Sequence, residues 1–223
     1  MVLEIMIAVV VLGLLGVAVA LVVHERRRTD ALEMAAHDMG MAFEAKPSAV
    51  PGEGFRLMTG GRQRRVRNLI RGTIEDLDVR LFDYAYTTGS GKNSRTHRQS
   101  VVLLRMPRGG VPEFILTRET VFDRLGSALG YDDIDFDDDP EFSRRFKLKS
   151  DRETRAREVF DTELRRFMLT IDRSVSLEAK GSEVIVYRRS RRTRPAEIMP
   201  RLTEAFEIAT RVWSSSPDAS LSA

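Results

Sequence analysis

"VRLFDYAYTTGSGKNSRTHRQSVVLLRM", Val79 to Met106, poses a choice between two folds. Its centre, Gly89-Ser-Gly-Lys-Asn-Ser94, resembles a phosphate-binding glycine loop, which would open a helix and imply a parallel sheet. Such a loop requires Gly, four residues, then Gly-Lys followed by Ser or Thr. Counting back from Gly91, the first glycine position holds Tyr86, and Lys92 is followed by Asn93. No helix is signalled afterwards, because Ser100 to Met106 is β-branched and aliphatic. Before the glycines, Val79, Leu81, Asp83 and Ala85 alternate with Arg80, Phe82, Tyr84 and Tyr86, and both sets hold apolar groups, so this stretch reads as a central strand. The segment is therefore two antiparallel strands joined by a long flexible loop that carries Lys92, Arg95, His97 and Arg98.

Working outward, Val66 to Ile74 is a strand that precedes the "EDLD" turn, Phe114 to Leu116 is a short strand, and Glu119 to Leu129 is a helix stopped by Gly130. The acidic "YDDIDFDDDPE" mimics a calcium loop at Asp133, Asp135 and Asp137, but its sixth position is Asp138 instead of glycine and its twelfth is Arg144 instead of glutamate. It reads as an edge strand with Ile134 and Phe136 inward and aspartates deterring further pairing. Phe146 to Lys149 is another strand. Ser150-Asp-Arg-Glu153 has the pattern of a capping box for a helix burying Ala156, Val159 and Phe160, and Asp161 caps a second helix carrying Leu164, Phe167 and Met168. Val175 to Ala179 and Glu183 to Tyr187 flank "KGS" as a tight hairpin. Ile198, Leu202, Ala205, Phe206, Ala209, Val212 and Trp213 form one stripe of a final helix whose entry is marked by Pro195 and Pro200. The connections between strands are too short for parallel crossovers, so the class is α+β, one antiparallel-sheet domain with packed helices.

This domain follows a different kind of segment. Ile5 to Val23 has no polar side chain, and its 19 residues span about 28 Å as a helix, close to the hydrocarbon thickness of a bilayer. Thirteen of them are Ile, Leu or Val, each favouring insertion. Ala18-Val-Ala20 resembles a cleavage site, but no Lys or Arg precedes the run and the run exceeds a signal peptide's apolar core, so it reads as a transmembrane anchor. Arg26, Arg27 and Arg28 follow it, and the positive-inside rule places the C-terminal body in the cytoplasm, giving a single-pass inner-membrane protein. The divisions are 1–28 for the anchor and its basic flank, 29–59 for a juxtamembrane helix and linker, 60–213 for the cytoplasmic α+β domain and 214–223 for a disordered tail.

The runs from Val66 to Leu104 and from Asp133 to Phe160, including "FDYAYTTGSGK" and "PEFSRRF", resemble an uncharacterised bacterial family of single-span membrane proteins with a cytoplasmic α+β domain. The resemblance implies that these segments belong to the domain body. It carries over no activity and no catalytic residue.

The chemistry is bounded mainly by what is missing. Without cysteine there is no disulfide, thiolate nucleophile or cysteine metal site. The three histidines, His24, His37 and His97, have no partner at ligand spacing, and no kinase, hydrolase or dinucleotide fingerprint occurs, so no cofactor and no catalytic or metal residue is assigned. Net charge is only +3, yet the arginines are bunched. Beside an anionic leaflet each basic residue contributes about 1 kcal/mol, which makes Lys92, Arg95, Arg98, Arg188, Arg189, Arg191 and Arg192 the candidate anion or lipid contacts. Nucleic acid is disfavoured because the runs lack interleaved aromatics or a recognition helix. The leading reading is a binding or scaffold module that meets anionic lipid or a protein partner. The alternative is a membrane-tethered enzyme of unrecognised type, suggested only by the polar loop around Lys92 and the acidic window. Oligomeric state is left open.

Overall fold

An apolar run that satisfies its own backbone bonds continues as a helix for as long as side chains permit. In the computed structural model, which describes residues 1–106, 110–118 and 132–216, α1 extends without a break from Val2 to Asp38, 37 residues or about 55 Å. The anchor and the juxtamembrane helix are one rod. The rest of the chain covers none of its apolar window, and by length and composition this is a helix able to cross a membrane. Its far end enters the body, where Leu32 and Ala36 are fully buried.

The body is an eight-stranded sheet in the order β1-β2-β3-β4-β8-β7-β5-β6, with every pairing antiparallel. The strands are β1 (Ala42–Glu44), β2 (Arg62–Ile74), β3 (Leu77–Thr88), β4 (Arg95–Arg105), β5 (Val111–Arg118), β6 (Phe146–Ser150), β7 (Val175–Gly181) and β8 (Glu183–Arg188). The helices are α2 (Arg56–Thr59), α3 (Pro140–Arg145), α4 (Glu153–Val159), α5 (Thr162–Thr170) and α6 (Ile198–Ser214). The α+β class read from the sequence is the architecture observed.

Alternation along the central strands divides the interior in two. Val79, Leu81, Val102, Leu104 and Val186 face the larger core, which they share with Leu32 and Ala36 of α1 and the Ile198, Leu202, Ala209 and Trp213 stripe of α6. Phe82, Tyr84, Tyr86, Leu103 and Ile185 face the other way, onto Phe55, Leu57 and Met58. The nominal linker thus supplies a strand and the cover of one sheet face. Phe55 is apolar enough to be driven there, but nothing local in "PGEGFRLM" announces a destination.

Several local readings change. The loop expected between Tyr86 and Ser100 is mostly ladder: β3 and β4 pair out to Thr88 and Arg95. Threonines suit a strand, the Thr87 and Thr96 hydroxyls meet at 3.1 Å, and only 89–94 turn, helped by positive φ at Gly89 and Gly91. His97 is buried on β4, stacked on Tyr86. The capping box does not form, because Ser150 ends β6 and its hydroxyl donates to the Glu113 carbonyl at 2.6 Å. Asp161 does cap α5, accepting from the Leu164 amide at 2.8 Å. The acidic window makes no regular strand. Ile134 and Phe136 are buried, Ile134 donates its amide to Leu148 at 2.8 Å, and Lys147 and Lys149 neutralise Asp133 from 3.6 and 3.4 Å. The expected helix 119–129 and most of the expected tail lie outside the described residues.

Glu178 of β7 is buried beneath α2, where it accepts from the Tyr187 hydroxyl at 3.0 Å and the Leu57 amide at 3.2 Å. Burial dominates and pushes its carboxyl up to about 7 from 4.5. The folded state therefore holds a proton that the unfolded chain releases above pH 4.5. This stabilisation is fully present below that value and is lost as pH rises through about 7, by roughly 3 kcal/mol in all. Glu178→Gln is expected to remove this loss. Urea unfolding of the full chain in neutral detergent at pH 5 and 8 measures it, and an unchanged pH dependence in the variant counts against the buried proton.

Candidate functional site

A carboxylate at a core-facing position needs a counter-charge. Asp83 follows Leu81 on the face that α1 covers, and its two oxygens receive four hydrogen bonds. Arg28 Nε and Nη2 donate from 2.9 and 2.8 Å, Asn68 Nδ2 from 3.0 Å and Ser100 Oγ from 2.7 Å. The two charged side chains are only 9% and 8% exposed. Asn68 is placed by a bulge in β2, where three steps from Arg67 to Ile70 oppose two in β3 and Asn68 takes φ 51°, a conformation asparagine tolerates. Its amide oxygen accepts from Thr29 of α1 at 3.0 Å. One helical turn before Thr29, Glu25 receives both guanidinium ends of Arg192 at 2.8 Å, and the Arg192 guanidinium holds the Glu25 carboxyl below its usual range.

These contacts set the direction of α1 over the sheet. Leu32 and Ala36 belong to the core with Leu81, Arg28 meets Asp83, and Leu21 and Val22 share a cleft with Ala85, Thr87 and Thr96. The β3–β4 hairpin therefore runs back along α1 toward the apolar segment, with its tip at 89–94 directed to that end of the body.

The cleft between α1 and this end of the sheet measures about 630 Å³. A second bulge, with Gln63 at φ 53°, borders it on β2. Arg26, Lys46, Arg65, Arg67 and Arg98 line it. They are exposed, and among the described residues none of the five makes an ion pair. Of the three lining acids, Glu25 and Asp83 are already paired, leaving Asp30. The opposite wall is Leu21 and Val22.

The seven candidate residues named from the sequence separate by location. Lys92 and Arg95 stand exposed at the hairpin tip, and Arg98 and Arg192 line the cleft. Arg188 is buried and held by both oxygens of Glu204 at 2.8 and 2.7 Å. Arg191 reaches Asp172 at 4.0 Å, and the charge of Arg189 is felt at the Tyr86 and Tyr187 hydroxyls. Sequence reasoning missed Arg28, Asn68 and Arg65 as site-builders. The available signal was Asp83, a lone acid in the same alternation as Val79, Leu81 and Ala85.

No protein-family model and no curated protein sequence matches the chain. Among solved structures, the crystal structure of the mycobacterial trehalose monomycolate transport factor A, TtfA, superposes with a TM-score of 0.61 at 12% identity, over 86% of this chain and 98% of that one. The likeness is one of fold.

Removing one partner of a desolvated pair leaves the other charge buried, which typically costs about 3–5 kcal/mol. Arg28→Ala is expected to destabilise the body by that order and to speed amide exchange along residues 25–36. Urea unfolding with hydrogen-exchange mass spectrometry on the full chain checks both. A loss under about 1 kcal/mol would show that the junction is not held by this pair.

Proposed function

We propose that this chain is a single-span inner-membrane protein whose cytoplasmic body is a binding or scaffold module, held in a fixed pose against the anionic leaflet. The observation that carries the reading is the pinning of α1 to the sheet by Arg28–Asp83 and Glu25–Arg192. With the apolar run of α1 in the bilayer and Leu21 and Val22, near its end, at the headgroup boundary, the same rod that crosses the bilayer brings the hairpin tip to headgroup depth. The tip cannot go deeper, because Ser90, Lys92, Asn93 and Arg95 would have to shed their hydration. At headgroup depth Lys92, Arg95 and Arg98 each gain about 1 kcal/mol from anionic lipid, whereas Arg192 and Arg191 are offset by Glu25 and Asp172.

Two further points favour binding over catalysis. The cleft carboxylates of Glu25 and Asp83 are saturated by guanidinium groups, so they serve as structural counter-ions instead of acids or bases. The structurally similar TtfA is named a transport factor, a role compatible with a non-catalytic body at a membrane. A protein partner remains part of the scaffold reading.

The chain lacks cysteine, so Ser90→Cys provides a single label site at the tip. In nanodiscs containing phosphatidylglycerol, a fluorophore there is expected to be quenched by headgroup spin labels. The quenching should fall several-fold in 0.5 M salt, in phosphatidylcholine discs, or with Lys92→Gln and Arg95→Gln. Quenching indifferent to lipid charge would remove the leaflet contact. Protection of a C-terminal tag from protease in inverted vesicles would reverse the assigned orientation.

A further inference from the structure

Ala85 sits at the centre of a cross-strand row. Its β2 partner is Arg65 and its β4 partner is Arg98. Adjacent strands lie about 4.8 Å apart, so the two arginine backbones are about 10 Å apart, with only a methyl group between them. Two exposed arginines flank one small residue, with no ion-pair partner for either among the described residues, so both guanidinium groups are available to an anion. A phosphate fits such a gap because guanidinium groups donate to it in pairs from either side.

The other wall of the same cleft is apolar. Leu21 and Val22 are 62% and 54% exposed and belong to the end of the apolar run. A free phosphate would satisfy the arginines and leave that wall wet. A ligand with a phosphate at one end and hydrocarbon at the other satisfies both. The cleft volume of about 630 Å³ is in the range of small-molecule sites.

We propose that the cleft between α1 and the β2–β3–β4 face binds the phosphate headgroup of one anionic membrane lipid, gripped by Arg65 and Arg98, with its acyl chains passing along Leu21 and Val22. The inference rests on the membrane-proximal pose proposed above. It differs from that reading in kind: the hairpin tip meets a surface, whereas the cleft takes a single molecule out of it. A module that holds one lipid by its headgroup beside the bilayer can present that lipid to a partner.

The test uses the full chain in neutral maltoside detergent, analysed by native mass spectrometry after incubation with phosphatidylglycerol, phosphatidylcholine or inorganic phosphate. The expected result is one retained phosphatidylglycerol per chain, with phosphatidylcholine retained at least tenfold less and inorganic phosphate neither retained nor competing. Arg65→Gln with Arg98→Gln should reduce the adduct about tenfold. Ala85→Leu, which fills the gap and leaves both charges, should do the same. Circular dichroism confirms folding, which neither exposed arginine supports through an ion pair. Lys92→Gln with Arg95→Gln should leave the adduct unchanged. Equal adducts in the Arg65/Arg98 variant, equal retention of phosphatidylcholine, or displacement by equimolar inorganic phosphate would each overturn the proposal. A retained adduct without charge-sensitive quenching at position 90 defeats only the leaflet contact; normal quenching without an adduct defeats only the cleft.

Discussion

A carboxylate in the middle of a sheet face is a liability unless something cancels its charge, and in this protein the something comes from outside the sheet. Asp83 is satisfied by the guanidinium of a helix that begins in the apolar segment, by an asparagine set in place by a bulge, and by a serine on the next strand. The Coulombic gain alone does not secure such a pair, since desolvating both ions offsets much of it. Its consequence is geometric. The bidentate contact of Arg28 with Asp83 forms at one height and one rotation of α1 over β3, so the pair converts a flexible attachment into a defined angle.

That angle organises the end of the body nearest the apolar run. Because α1 runs back along β3, the β3–β4 hairpin points the same way as the apolar run. The gap left between helix and hairpin inherits one wall from each, with leucine and valine on one side and arginines on the other. Neither wall is unusual by itself. An arginine on an exposed strand is ordinary, and so is a leucine at the end of an apolar helix. Facing each other across a cleft, they match the boundary between a lipid's headgroup and its chains. The two bulges of β2 matter here as well, since they re-aim the strand between Gln63 and Asn68 so that Arg65 and Arg67 stand opposite Ala85 and Asp83.

The other sheet face shows a different solution to burying charge. Among the described residues Glu178 forms no ion pair; the Tyr187 hydroxyl and backbone amides of α2 donate to it, and burial outweighs them, so the carboxyl retains its proton. One acid is buried in an ion pair with an arginine and the other is buried without an ion pair among the described residues. The elements that cover Glu178 come from a stretch whose prolines and glycines read as a linker. Turn residues mark where a chain bends and say little about whether the residue after the bend, here Phe55, is driven into a core.

Periodicity and composition were enough to establish an apolar helix able to span a bilayer, an antiparallel sheet, a final amphipathic helix and the failure of the glycine-loop motif, because each follows from neighbours within a few residues. Strand ends were less legible, since Thr87 and Thr96 are held in the ladder by partners on the adjacent strand. Arg98 and Arg192 could be singled out as basic, whereas Arg188 looked identical in sequence and turned out to be a buried partner of Glu204. Which arginines remain available is decided by where the acids arrive, and Asp83 meets Arg28 from 55 positions away in the chain. Charge pairing acts through space over a few ångströms, and only the folded chain assigns those distances.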